Sequence, residues 1–174
     1  MRLGLTAGRL SGAGTPFNWP AAIGYERQPF ASLVSGAGQL AAGPNGVQMG
    51  IFGWADAVTG EVSNVQSTGA LLGFVLPVIG LYNWQRCAPT PLGALVRGLI
   101  LRAGIQCVMA VAGDFLTVFP FGGQAGKRVF TDPATGVPYS GNPGGLVATP
   151  WAVMETGCRC NATLRISSFS APLN

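Results

Sequence analysis

No histidine occurs anywhere in this 174-residue chain. That absence removes the commonest general base, the usual activator of a serine or cysteine nucleophile and the commonest metal ligand together. Charge is nearly as scarce. Asp, Glu, Lys and Arg make up 9% of residues, against roughly 25% in ordinary soluble domains. Lysine occurs once, as Lys127, and the acids are limited to Glu26, Asp56, Glu61, Asp114, Asp132 and Glu155. A folded monomer of 17.8 kDa exposes on the order of 8,000 Å² of surface, so ionisable groups are spread at about one per 500 Å². Free monomers keep themselves soluble with far more. The deficit implies a surface largely covered by other protein.

Long apolar runs are missing too. The longest, from Gly69 to Tyr82, contains Pro77 and internal glycines, and it falls short of the about 20 residues a spanning helix needs. The stretch from Leu92 to Val111 is interrupted by Arg97, Arg102 and Gln106. The opening residues lack the continuous apolar stretch of a secretory signal. The expectation is a soluble protein made in a cytosol, without a membrane partner. Cys87, Cys107, Cys158 and Cys160 are then reduced thiols, not a disulfide framework.

What the chain does have is apolar residues at 48%, enough for a core, and 27 glycines with 13 prolines. These punctuate short apolar segments without a collagen period, the pattern of an all-β fold with many turns. Residues 1–45 read as an extended N-terminal arm and the strand that leads into the domain, and residues 46–174 as the β domain. Phe17, Trp19, Tyr25 and Phe30 on the arm need burial, against the chain's own domain or a neighbour.

Within the domain, Val47 to Trp54 and Glu61 to Asn64 read as strands joined by Asp56-Ala-Val-Thr-Gly60, a type I turn with glycine in the left-handed position. Ala70 to Ile79 reads as a buried strand that Pro77 ends or displaces. Arg102-Ala-Gly104 is a tight connection and Gly113-Asp114 a turn into Phe115–Phe119. Asp132-Pro-Ala-Thr-Gly136 repeats the Asp-x-x-Thr-Gly turn. In the last strand Leu164 and Ile166 point one way and Thr163, Arg165 and Ser167 the other, with Trp151-Ala-Val153 as its partner. Pro91 to Leu101 has a helix-like period, but Gly93 and Gly98 favour strand.

The chemical motifs are thin. Cys158-x-Cys160 lacks the further ligands of a zinc site and reads as two buried small hydrophobes. Asp56, Asp132 and Asp114 read as turn caps, leaving no carboxylate dyad for glycosidase chemistry. Gly36-Ala-Gly38-Gln-Leu-Ala41 imitates a dinucleotide fingerprint, yet Gly43-Pro44-Asn45-Gly46 stops any helix at once. The arginines are scattered, without the clustering and interleaved aromatics of a nucleic-acid surface; interface use suits them better. No enzyme, cofactor or metal is expected. Asn161-Ala-Thr163 is a formal glycosylation sequon without a signal to give it meaning.

Several strings occur in a telling order: Ala42-Gly-Pro-Asn-Gly-Val47, Phe52-Gly-Trp-Ala-Asp56, Thr59-Gly-Glu-Val-Ser-Asn64, Gly73-Phe-Val75, Ala112-Gly-Asp-Phe115, Gly126-Lys-Arg-Val-Phe-Thr131, Thr135-Gly136 and Trp151-Ala-Val153. From about Gly43 to Ile166 the series resembles the structural cement (capsid decoration) proteins of tailed bacteriophages. These are small Gly/Ala-rich β proteins that sit outside the icosahedral shell and clamp adjacent major capsid subunits. The first 40 residues and the segment Leu81–Leu92 depart from that pattern, and members of the family are often more charged.

The resemblance implies a compact β-barrel or jelly-roll sandwich, no catalytic residues, and a virion protein on the outer capsid surface made in the bacterial host cytoplasm. Its partners would be the major capsid protein and itself, as a homodimer or homotrimer. The residues expected to contact the capsid or a second copy are Arg2, Arg9, Phe17, Trp19, Tyr25, Arg27, Phe30 and Trp84. The alternative is a carbohydrate-binding or adhesive β-sandwich, which needs an exposed aromatic platform such as Trp19, Trp84 or Trp151.

Overall fold

The computed structural model describes residues 24–32, 39–76, 87–89 and 99–169. These form thirteen strands and no helix, so the all-β expectation holds. In chain order they are β1 Gly24–Ser32, β2 Ala41–Ala42, β3 Val47–Gln48, β4 Phe52–Ala55, β5 Glu61–Ser63, β6 Leu71–Val75 and β7 Cys87–Pro89. There follow β8 Leu99–Leu101, β9 Met109–Phe119, β10 Arg128–Thr131, β11 Pro138–Ser140, β12 Val147–Val153 and β13 Ala162–Ser167. A large sheet runs β11-β10-β12-β13-β9-β6-β4-β5-β2 with β1 also on β9, and β3-β8-β7 form a small one. The large sheet is mixed, because β2 runs parallel to β5 while the other pairs are antiparallel.

The large sheet is not closed. β11 lies at one end of its order and β2 at the other, which corrects the barrel alternative. The reason lies in β9. Ala110 pairs with Ser32 of β1 and with Phe74 of β6, on opposite edges. Asp114, Phe115 and Leu116 pair with β1 on one edge and β13 on the other. So β6 and β13 follow one another along the same edge of one long strand, and the sheet folds over instead of curling shut. Phe52 and Phe74 thereby meet the rings of the other half: Phe74 stacks on Phe115 at 4.8 Å and 8°, and Phe52 lies edge-on to Trp151 at 5.4 Å.

Period-two alternation loads both faces of the inner strands. Phe74 and Ala110 belong to the cluster of Phe52, Phe115, Phe119, Trp151, Leu164 and Ile166. Their neighbours Val75 and Met109 belong to the opposite cluster, with Leu40, Val47, Val62, Leu101 and Cys107, against the small sheet. This explains why β4 is buried at every position and why Val47–Trp54 alternates poorly as a sequence. It is two strands: the chain leaves the small sheet after Gln48, turns through Gly50 at φ 77°, and enters the large one at Phe52. The buried Thr117 hydroxyl donates to the Gly50 carbonyl at 2.7 Å and holds the crossing.

Both Asp-x-x-Thr-Gly turns form as expected, with Gly60 at φ 74° and Gly136 at φ 71°. Asp56 Oδ1 accepts the amides of Val58 and Thr59 at 2.8 and 2.7 Å, and Asp132 Oδ1 accepts that of Ala134 at 2.8 Å. The Thr59 amide first, then the Val58 amide, hold the Asp56 carboxyl below its ordinary range. A carboxyl whose folded pKa is depressed adds stability that is fully present above the unfolded value of roughly 4 and is lost as pH falls through the folded value. Asp56→Asn keeps an acceptor but cannot titrate. Urea midpoints measured from pH 6 down to about pH 2 should therefore fall less steeply for Asp56→Asn than for the parent; parallel profiles would refute the assignment.

Asp114 is a correction. It does not open a turn but sits inside β9 at 3% exposure. A carboxylate tolerates that position because β13 places Ser167 opposite it, and the Ser167 hydroxyl donates to Asp114 Oδ1 at 2.5 Å. The pairing of β13 with β12 through Ala152–Ser167 and Val153–Ile166 agrees with the expectation. Leu164 and Ile166 do face the core, and Ser167 is buried with Asp114.

Candidate functional site

Of the residues expected to make contacts, Arg2, Arg9, Phe17, Trp19 and Trp84 lie outside the described residues. Tyr25, Arg27 and Phe30 fall on β1, whose backbone pairs with the domain's own central strand: Tyr25 lies opposite Phe115 and Arg27 opposite Asp114. Trp151 is no platform. It is fully buried, and its indole N–H donates to the Gly113 carbonyl at 2.9 Å. The cysteines divide. Cys107 is buried, and desolvation pushes its thiol up to about 12. Cys158 and Cys160 are exposed, not buried hydrophobes, because they precede β13 in a turn that passes through Asn161 at φ 57°. Among the described residues no three potential metal ligands come together, and no helix is long and apolar enough to cross a membrane.

The surface feature that stands out is a cleft of about 720 Å³ at the β11 end of the large sheet. β9 ends at Phe119, whose ring is buried, and the chain turns through Pro120 with the Gly122 amide donating to the Phe119 carbonyl at 3.2 Å. The turn throws Phe121 outward. The residue is 73% exposed, and its ring stacks on Tyr139 at 5.6 Å. Along β10, Val129 and Thr131 are buried while Arg128 and Phe130 share the other face. Lys127, Arg128, Phe130, Asn142 and Cys158 line the cleft with Phe121, and no carboxylate does.

The walls are tied to one another. The Gln124 amide donates to Ser140 Oγ at 3.0 Å and the Ala125 amide to Thr156 Oγ1 at 3.1 Å. Gly123 and Gly157 exchange both backbone bonds, at 2.8 and 2.9 Å. Glycine at 157 permits this approach, since a Cβ there would lie 2.6 Å from Leu164 Cδ2. One Arg128 nitrogen donates to the Thr149 carbonyl at 3.4 Å. The cleft thus gathers an exposed thiol, two cations and two phenylalanine rings.

Neither a protein-family model nor a curated protein matches the chain.

Phe121, Lys127 and Tyr139 were not singled out from the sequence. The available signal was Phe119-Pro-Phe-Gly-Gly123: a second large aromatic just past a strand end, among turn formers, has nowhere in its own element to pack.

Proposed function

We propose that this protein is a structural component of a virion that binds the outside of an icosahedral phage capsid and cements adjacent major capsid subunits, acting as a homodimer or homotrimer. The observation that carries the reading is the sparseness of charge. Ten basic and six acidic residues serve a chain exposing 9365 Å², while Val58, Val65, Leu71, Phe121 and Phe169 stand out in solvent. Such a surface suits lattice burial, where one modest contact repeated around a symmetry axis accumulates avidity. The resemblance of the ordered strings to cement proteins supports the same reading, and the role requires no catalysis.

The test uses shells of the parent virus with and without the protein. Bare shells should disassemble at lower temperature, and adding the protein back should restore their resistance. A chain lacking residues 1–23, which keeps β1, should occupy shells poorly, because the aromatic and arginine-bearing arm is the proposed clasp. Equal heat resistance of bare and decorated shells would rule cementing out. The second reading, a carbohydrate-binding or adhesive module, is favoured by one observation: the exposed Phe121, stacked on Tyr139, stands beside Gln124 and Asn142 in the cleft. Binding of neutral oligosaccharide by the isolated monomer would support it instead.

A further inference from the structure

Cys107, Cys158 and Cys160 fall into two environments. Cys107 is buried, and desolvation pushes it up to about 12, so its thiolate is scarce and shielded from reagents. Cys158 and Cys160 are both exposed and are separated only by Arg159, which is exposed as well. The loop that carries them is fixed at each end. Gly157 exchanges both backbone bonds with Gly123, at 2.8 and 2.9 Å, and the Asn161 amide donates to the Pro120 carbonyl at 3.0 Å. Between these anchors the backbone lies close on Gly122, where a Cβ would stand 3.3 Å from the Arg159 carbonyl oxygen. The two thiols are thus presented to solvent on a short span with both ends tied.

That span suits a bridge. An extended chain rises by at most about 3.6 Å per residue, so the Cα atoms of Cys158 and Cys160 stand within roughly 7 Å of one another. The chain bends at Arg159, which shortens the separation toward the range of roughly 4.4–6.8 Å that a disulfide spans. The ring that closes is small, and a strained, exposed disulfide is readily reduced, so such a bridge is reversible and not a permanent staple. Cys158 also lines the cleft beside Phe121, whose volume of about 720 Å³ gives a small reagent room to approach its sulfur.

We infer that Cys158-Arg159-Cys160 is a redox-modifiable dithiol that takes low-molecular-weight disulfides and closes to a reversible bridge within the loop. One protein thiolate attacks a sulfur of the small disulfide, forming a mixed disulfide and releasing one small thiolate. The second protein thiolate attacks the protein sulfur of that mixed disulfide and expels the other small thiolate. Two protein thiols are oxidised, one small disulfide is reduced, and the two protons end on the released thiols. The second step is intramolecular, so it outruns capture of a second small disulfide. This chemistry does not rest on the capsid reading.

The full-length protein, freshly reduced and desalted, is incubated with oxidised glutathione, quenched in acid, digested with chymotrypsin and mapped by mass. The peptide carrying Cys158 and Cys160 should lose two hydrogens at least about tenfold faster than Cys107 acquires glutathione. Dithiothreitol should restore both thiols. Cys158→Ser and Cys160→Ser should each stop at a mixed disulfide on the remaining cysteine, with thermal midpoints equal to the parent's, as substitutions at exposed side chains allow. Glutathione retained on both thiols, a bridge from either to any other cysteine, no reaction, a bridge that dithiothreitol leaves intact, or Cys107 modified at the same rate overturns the dithiol. So does a lowered midpoint in either variant, which would show the sulfurs packed into the fold. Shells that the protein fails to stabilise, with the loop bridge still forming, count against cementing alone.

Discussion

Replacing Gly136 by alanine is expected to destabilise the fold by about 3 kcal/mol or more, through backbone strain, overpacking and a lost hydrogen bond together. Gly136 closes the second Asp-x-x-Thr-Gly turn at φ 71°. Its carbonyl also accepts the Phe52 amide at 3.0 Å, so the turn between β10 and β11 docks on the start of β4. A Cβ there would sit 2.1 Å from the Phe52 carbonyl oxygen and 3.3 Å from the Asn64 Cβ. Neither neighbour can yield. Phe52 is fully buried, and Asn64 is itself a stitch, donating to the Phe52 and Gln48 carbonyls at 2.8 and 3.2 Å while its Oδ1 accepts the Gln48 amide at 2.6 Å.

Gly104 supplies the control. It has φ 74° and nothing within 4 Å of where a Cβ would go, so Gly104→Ala should cost only the left-handed backbone term of about 1 kcal/mol. Denaturant midpoints at constant slope separate the two. Equal losses at both positions would show that the docking contact contributes nothing.

Trp151→Ala should cost about 3–5 kcal/mol, as large aromatic truncations in cores do. Trp151 lies where the two halves of the folded-over sheet meet. Its ring meets Phe52 at 5.4 Å and Phe115 at 6.2 Å, and its N–H holds Gly113 midway along β9. Gly113 has φ 144°, and its amide and carbonyl also engage Ser168, at 2.8 Å to the hydroxyl and 3.1 Å from the amide. Trp151→Phe keeps most of the ring and loses the hydrogen bond. The Gly113 carbonyl still has the Ser168 amide, so that substitution should cost only about 1–2 kcal/mol. Circular dichroism of both variants in urea checks the order. A Trp151→Phe as damaging as Trp151→Ala would move the weight from packing to the single bond at Gly113.

The local features were legible because their causes are local. The Asp56 and Asp132 carboxylates stand two and three residues from the amide and hydroxyl groups that donate to them, so the turn chemistry could be read from five consecutive letters. The alternation of Leu164 and Ile166 against Thr163 and Arg165 likewise follows from the pleat of one strand. Asp114 was misread for the complementary reason. A carboxylate after glycine looks like a turn until Ser167, far along the chain, is set opposite it by the pairing of β13 with β9. Cys158 and Cys160 have the composition of core residues and the position of a turn, and only the path through Asn161 decides between them.

The amino-acid sequence by itself determined the all-β character, the two repeated turns, the pairing of the last strand and the scarcity of charge, since each depends on composition or on neighbours a few residues apart. The tertiary structure decided that β9 carries β6 and β13 on one edge, so that the sheet folds over and stays open. It also decided that Phe121, Lys127, Arg128 and Cys158, spread across nearly forty positions of the chain, wall one cleft. Pairings at that separation depend on which edges remain available once the core is packed, and no short stretch of residues contains that information.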